Sequence, residues 1–304
     1  MVKVLEGLNG FLFLGGDDSN DLISQHTGRM NISRTIPEIA YSHYARSQYL
    51  SYFHKSQYLH IIAPNKETVA AGFMPPDIRF EEFGPTPVRQ YLESVRGAAE
   101  RTFYDPTVLS SFYEDRLYYL TDTHWTFRGA KRYLESALLK AGLTEKSETL
   151  RDMPLRVDDL SFVGDLAAHI GHAGETQEHI LPASPTGSQV FFNGIATEGR
   201  VFHFRNPTKA GRALVLIDST GSWLLNLLGE LFNEVLAIHT PEIDLYVVGL
   251  FKPSIVLAIQ CERFFPRPAT AGVDWRKLIA DKEESKGATS SAVSYLAALG
   301  YMVA

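Results

Sequence analysis

The segment Arg212 to Ile217, RALVLI, is followed at once by Asp218-Ser219-Thr220-Gly221, and then by Trp223, Leu224, Leu227, Leu228 and Leu231. The short apolar run reads as a strand, and the spacing after the polar turn is that of a helix. Two more apolar runs follow, Glu234 to Ile238 and Ser254 to Ile259, with room between them for a crossover helix. Strands that are apolar on both faces must be covered on both faces, so the pattern predicts an α/β fold with a parallel sheet and helices on either side.

The first half of the chain fits that scheme. Apolar residues from Ser33 to Phe53 recur roughly at helical spacing, and Tyr58 to Ala63 reads as a buried strand stopped by Pro64-Asn65. Ala130, Tyr133, Leu134, Ala137, Leu138 and Ala141 repeat every 3.6 residues, with Thr126 as cap and Gly142 as stop. The stretch from about Glu145 to Arg205 is rich in Gly, His and Thr and has no period, so it is expected as an irregular insertion of loops or a small β element. With no internal repeat and no Gly/Ser linker, residues 1–304 are expected to form a single domain.

Composition narrows the function. The net charge is −6, from 29 basic and 35 acidic residues, without a basic stripe, which argues against a nucleic-acid partner. The single cysteine, Cys261, excludes an internal disulfide and a zinc site of several thiolates. The N-terminal apolar run is broken by Gly7, Asn9 and Gly10 and lacks the h-region of a signal peptide. No stretch of 18 or more apolar residues occurs, and the best candidate, Ser222 to Phe232, is about half the length needed to span a bilayer. The expectation is a chain with no transmembrane segment and, as written, a cytoplasmic setting.

Three residues have the chemistry of an acyl-transfer triad. A serine needs a base in reach, and the base needs a third group to fix its tautomer and stabilise its charged form. Ser219 stands where a strand passes into a helix, at the carboxyl end of the sheet, where open α/β sheets bind ligands. Its backbone N–H near a helix N-terminus suits a developing oxyanion. Asp122 and His124, two positions apart, supply the orienting carboxylate and the imidazole. The plainer reading of Asp218-Ser219 is a helix cap, and of Asp-x-His a loop with no chemistry.

At these residues the sequence resembles the alginate O-acetyltransferase family. The matching stretches are Glu6 to Phe13, Ala63 to Val69, Tyr118 to Trp125 with Gly129-Ala130, Gly164-Asp165-Leu166, Asp218-Ser219, and Lys252 to Val256 leading into Glu262-Arg263. The resemblance implies an SGNH-hydrolase-like fold in circularly permuted block order, with the Asp-x-His block ahead of the serine. It implies an O-acetyltransferase that acts on hydroxyls of a polysaccharide or sugar precursor through an acetyl-serine. Ser219, His124 and Asp122 would then be catalytic, with no metal and no tightly bound cofactor. The partners would be a carbohydrate acceptor and an acetyl donor or donor protein, in an extracytoplasmic setting. Trp125 is implied to line the site, with a core tryptophan as the plain alternative. Gln260 and Arg263 follow the strand where ordinary SGNH enzymes carry an oxyanion-hole asparagine; the alternative for Arg263 is an ion pair. Lys66 is read as structural or surface-lying. The chain departs from the pattern at Ile217, where a glycine is usual, and lacks a recognisable block-II glycine. A carbohydrate acetylesterase with the same triad and a non-catalytic glycan-binding protein are the other two functions compatible with the sequence.

Two further clusters carry less. His169, His172 and His179 lie near Asp165 and Glu175 at spacings that suit no helix or hairpin metal frame, and Leu12 to Asp18 has glycines but neither a dinucleotide nor a P-loop pattern.

Overall fold

The structure is a computed structural model that describes residues 2–18, 20–172, 174–269 and 273–302, with 175–180 described for backbone only. The chain divides into two compact units. The first comprises Met1–Pro37, Ile62–Ala183 and Cys261–Arg267, the second Glu38–Ile61, Ser184–Gln260 and Pro268–Ala304.

The main sheet has seven strands: β1 (Gln57–Ala63), β2 (Thr102–Phe103), β3 (Ser188–Phe192), β4 (Val201–Arg205), β5 (Arg212–Ile217), β6 (Glu234–His239) and β7 (Ile255–Cys261). Their order is β2-β1-β7-β5-β6-β4-β3. At its centre β5 runs parallel to both β6 and β7, as the apolar runs predict. Beyond β6, strands β4 and β3 add antiparallel pairs, so the end of the unpatterned stretch completes the sheet. The earlier part of that stretch forms an antiparallel pair of its own, Leu155–Phe162 with Glu175–Pro182.

Register explains why β5 is apolar throughout. Leu214 pairs with Leu236 and Val256, and Leu216 with Ile238 and Ala258. These residues share one buried cluster with Val247, Val248 and Phe251 of helix Leu245–Phe251, Trp275 and Ile279 of Trp275–Lys286, and Ala292 and Leu296 of Ala292–Ala298. The alternate residues Ala213, Val215 and Ile217 are buried on the opposite face. There the turn at Gly221 lies against Ile217 and Ile259. The α/β fold expected from the sequence is the fold observed.

Helix Phe127–Lys140 in the first unit begins where Thr126 Oγ1 accepts from Gly129 N (3.3 Å) and stops before Gly142, whose φ of 73° is left-handed. Helix Ile36–Tyr49, which belongs to the second from Glu38 on, continues into a wider turn, Leu50–His54. Among the described residues, no helix is long and apolar enough to cross a membrane.

The second unit carries one acid-sensitive lock. Glu234 of β6 accepts from His203 Nε2 and Tyr301 Oη, both at 2.8 Å, and pairs with Arg212 Nε at 3.0 Å. Burial alone would raise its pKa, but these partners outweigh burial and bring it from 4.5 down to about 2. A depressed folded-state pKa stabilises the fold above the unfolded-state value, and that contribution is lost as pH falls through the folded one. Glu234→Gln is therefore expected to flatten the loss of stability between about pH 4.5 and pH 2 in urea titrations. An unchanged acid limb in the variant would remove the lock from the account.

Candidate active site

The Asp-Thr-His loop is tied into a narrow hairpin. Tyr118 and Trp125 form an isolated antiparallel bridge, and Thr126 N donates to Leu117 O at 2.9 Å. The glycine that follows is dictated by this closeness, since a Cβ on Gly129 would sit 2.2 Å from Leu117 O. Leu12 N donates to Leu120 O (2.8 Å), joining the loop to the N-terminal hairpin of Lys3–Glu6 and Leu12–Gly16.

Within the loop, Asp122 Oδ1 lies 2.6 Å from His124 Nδ1 and also accepts from His124 N at 2.8 Å. Because the carboxylate only accepts, the ring carries its proton on Nδ1, which leaves Nε2 for proton transfer. The second oxygen, Oδ2, accepts from Asp165 N at 2.8 Å. Burial pushes the Asp122 carboxyl up, but its bonds to the imidazole and to two backbone amides hold it below the usual range. Asp122 is therefore an ionised orienter of His124 at neutral pH.

In the sequence Asp165 stands out only in a matched stretch and beside the His169 and His172 cluster, with no role toward His124 attached. Its carboxylate accepts from Thr123 N (2.8 Å) and from Thr123 Oγ1, and Oδ2 lies 3.8 Å from His124 Nδ1. A Cβ on Gly164 would fall 2.2 Å from Thr121 O, so only glycine lets this segment approach. Asp122, His124 and Asp165 have the donor types of a cation site. Their four carboxylate oxygens already accept from N–H or O–H groups, so a cation there would compete with the clamp that orients the histidine.

Lys66 braces the loop from beneath. It is wholly buried, not surface-lying, and its ammonium donates to the carbonyls of Tyr119 (3.2 Å), Leu120 (3.2 Å) and Asp122 (2.6 Å), 5.3 Å from the centre of the Phe13 ring. The neighbouring Glu67 accepts from Leu14 N (2.8 Å); burial raises its carboxyl pKa, against the opposing charge of Lys66. Asn65 Oδ1 accepts from Arg263 N (3.1 Å) and from the Cys261 thiol (3.2 Å). Lys66→Met is expected to cost about 3–5 kcal/mol, the usual penalty for breaking a buried charge set by removing one member. The measurement is urea unfolding beside Lys277→Met, an exposed lysine whose loss is worth about 0.5 kcal/mol or less. Equal losses in the two variants would show that Lys66 braces nothing.

The serine turn belongs to the second unit. Asp218 Oδ1 accepts from Thr220 N (2.9 Å) and Gly221 N (3.1 Å), so the capping role is taken by Asp218. Ser219 is half-buried at the end of β5. On one side β6 pairs His239 with Ile217. Burial lowers the His239 pKa to about 4, with Asp218 opposing and Arg200 assisting, so the ring is neutral at ordinary pH. Arg200 reaches the turn through Ser222 Oγ at 3.3 Å. On the other side β7 pairs Ala258 with Leu216, which brings Gln260 level with Asp218.

No family model matches the chain, and neither does any curated protein. Solved structures do. PatB1 of Bacillus cereus matches with a TM-score of 0.57 at 13% identity, over 90% of this chain and 99% of that one. Its form with a sulfonyl adduct matches at 0.59 and 14%, over 91% and 98%. The O-acetyltransferase domain of Pseudomonas putida AlgJ matches at 0.53 and 15%, over 94% and 100%. A DHHW family protein of Eubacterium siraeum matches at 0.58 and 12%, over 87% and 95%. The chain shares their SGNH-like fold. At these identities the likeness is one of fold.

Within this SGNH-like fold the remaining residues singled out from the sequence take definite places. Trp125 is fully buried with its ring 5.5 Å from that of Tyr133, so it packs in the core and shows no ring face to solvent. Gln260 lies in the second unit, its Oε1 3.1 Å from His60 Nε2. Arg263 lies in the first, with its guanidinium 4.8 Å from the centre of the Phe264 ring. His169 and His172 are exposed, and the side chain of His179 lies outside the described residues.

Proposed function

We propose that the protein is a serine-dependent O-acyltransferase that moves acetyl groups to hydroxyls of a carbohydrate, with Ser219 as nucleophile, His124 as base and Asp122 as orienter. The observation that carries this reading is the Asp122–His124 pair, 2.6 Å apart and clamped by the Asp165 amide, which holds the imidazole in the tautomer a general base requires. The shared fold, which includes one O-acetyltransferase domain, agrees with it.

In the first half-reaction His124 Nε2 takes the hydroxyl proton as Ser219 Oγ attacks the donor's acetyl carbonyl. The tetrahedral oxyanion collapses, the donor's leaving group takes the proton back from His124, and Ser219 keeps the acetyl group. A sugar hydroxyl then gives its proton to His124 and attacks the acetyl-serine, and Ser219 regains its proton as the product ester forms. Backbone amides and Gln260 or Arg263 are the groups proposed to meet the oxyanion. Water in place of the sugar gives the esterase reaction.

The test is mass spectrometry after exposure to a panel of acetyl donors. The expected adduct on Ser219 is about +42 Da, the mass an acetyl-serine intermediate adds. A sulfonyl fluoride should label the same residue, since PatB1 has been captured with a sulfonyl adduct. Acetate release without transfer to added sugars would convert the reading to an esterase. Sugar binding with an inert Ser219 would leave a glycan-binding protein.

A further inference from the structure

The second unit holds a buried polar chain of which the proposed mechanism uses only Gln260. Tyr58 and His60 of β1 alternate onto the same face of the sheet, as do Ala258 and Gln260 of β7. Tyr58 and Ala258 lie in one cluster, which places His60 and Gln260 on that face as well. His60 is 1% exposed, and its Nε2 lies 3.1 Å from Gln260 Oε1. The ring of His43, from helix Ile36–Tyr49, stacks on that of His60 at 4.1 Å and 18°, and His43 Nδ1 lies 2.7 Å from Tyr58 Oη.

We infer that His60 is a positioning residue: its ring N–H, donated to Gln260 Oε1, fixes the amide of Gln260 so that its –NH2 serves as the side-chain oxyanion donor beside Ser219. This rests on the acyl-transfer reading above and extends it. A free glutamine presents its oxygen and its nitrogen to a neighbouring site about equally, and an oxygen turned toward an oxyanion repels it. Satisfying the oxygen from behind removes that orientation. His60 suits the task because it does not charge. Burial lowers its pKa to about 3, with Arg46 assisting and the Gln260 bond opposing, so it stays neutral with one N–H and cannot switch the amide over as pH changes. His43 is held neutral in the same way, by burial first and then by His60 and Arg46, so the stacked pair carries no repulsion.

The experiment compares Gln260→Ala, His60→Leu, His60→Gln and the double variant His60→Leu/Gln260→Ala. Each is assayed for turnover of p-nitrophenyl acetate, for Ser219 labelling by a sulfonyl fluoride, and for its melting temperature. Gln260→Ala is expected to lower kcat by about 10²- to 10³-fold, as loss of one oxyanion donor does. His60→Leu should lower kcat by about 10²-fold with KM little changed, the size of a misplacement effect. His60→Gln, which puts an amide N–H near the place of Nε2, should restore most of it. The double variant should be no worse than Gln260→Ala. A wild-type kcat in Gln260→Ala, effects that multiply in the double variant, or no rescue in a well-folded His60→Gln would each overturn the inference. If His60→Leu does not fold, Gln260→Ala and His60→Gln still decide it. A wild-type protein that neither turns over the ester nor takes the label fails at the acyl-transfer reading, and the inference falls with it. A wild type that does both, with Gln260 indifferent, leaves that reading standing and removes only the role of His60.

Discussion

Ser219→Ala is expected to lower acyl transfer by about 10⁶-fold in kcat, the loss seen when a triad nucleophile is deleted on its own. The size follows from the division of labour. Without Oγ no acetyl-enzyme forms, and what remains is the rate supplied by bound donor and oxyanion groups acting on a sugar or water. Binding should survive, because Asp218 supplies the hydrogen bonds that shape the turn, through Thr220 N and Gly221 N. The measurement is kcat alongside affinity for the acceptor. A Ser219→Ala variant within tenfold of the wild type would place the nucleophile elsewhere and sink the mechanism.

Asp122→Asn is expected to cost about 10⁴-fold in kcat, with little change in overall fold, as the corresponding change does in serine proteases. The reason lies in which atoms face Asp122. One oxygen takes two donors from His124 and the other takes Asp165 N, so every neighbouring group is a donor. An asparagine has one accepting oxygen and one donating nitrogen. With its oxygen toward Asp165, its –NH2 meets His124 Nδ1 and forces the ring proton onto Nε2, where it blocks proton abstraction. With its oxygen toward His124, two N–H groups collide at Asp165. Titration of the His124 ring by NMR, beside kcat, checks the tautomer directly. An unchanged tautomer and an unchanged rate in Asp122→Asn would mean that the carboxylate is only a loop fastener.

What the sequence disclosed and what it hid differ in range. The helix after Thr126 and the strand Arg212 to Ile217 were legible because a period and a cap need only neighbouring residues. The Asp122–His124 contact was legible for the same reason, being two positions long. The supports of that contact are not local. Lys66 reaches carbonyls 53 to 56 positions away, and a carbonyl is present at every residue, so nothing in the sequence marks the ones it will meet. Asp165 acts on Asp122 through its backbone N–H, which any residue other than proline would offer. Glu262 accepts from Tyr104 at 2.7 Å and from Asn65 N at 2.8 Å, partners 158 and 197 positions distant. The stretch from Glu145 to Arg205 hid its strands because Leu155–Phe162 is mostly exposed and lacks the alternation that a half-buried strand shows. Trp125 could be read as a site-lining or a core residue, and the structure gives it a core position.

The burial of Lys66 has a use in the laboratory. Lysine ammonium groups are the commonest bystanders of acetylating and amidating reagents, and they react only as free amines in contact with solvent. With none of its surface exposed, Lys66 can be modified only when the first unit opens. Its labelling rate under native conditions, set against that of exposed Lys277, is then a clock for local opening of the loop that holds Asp122 and His124. A clock that slowed when a donor or an acceptor was added would report closure around the ligand without any need for turnover.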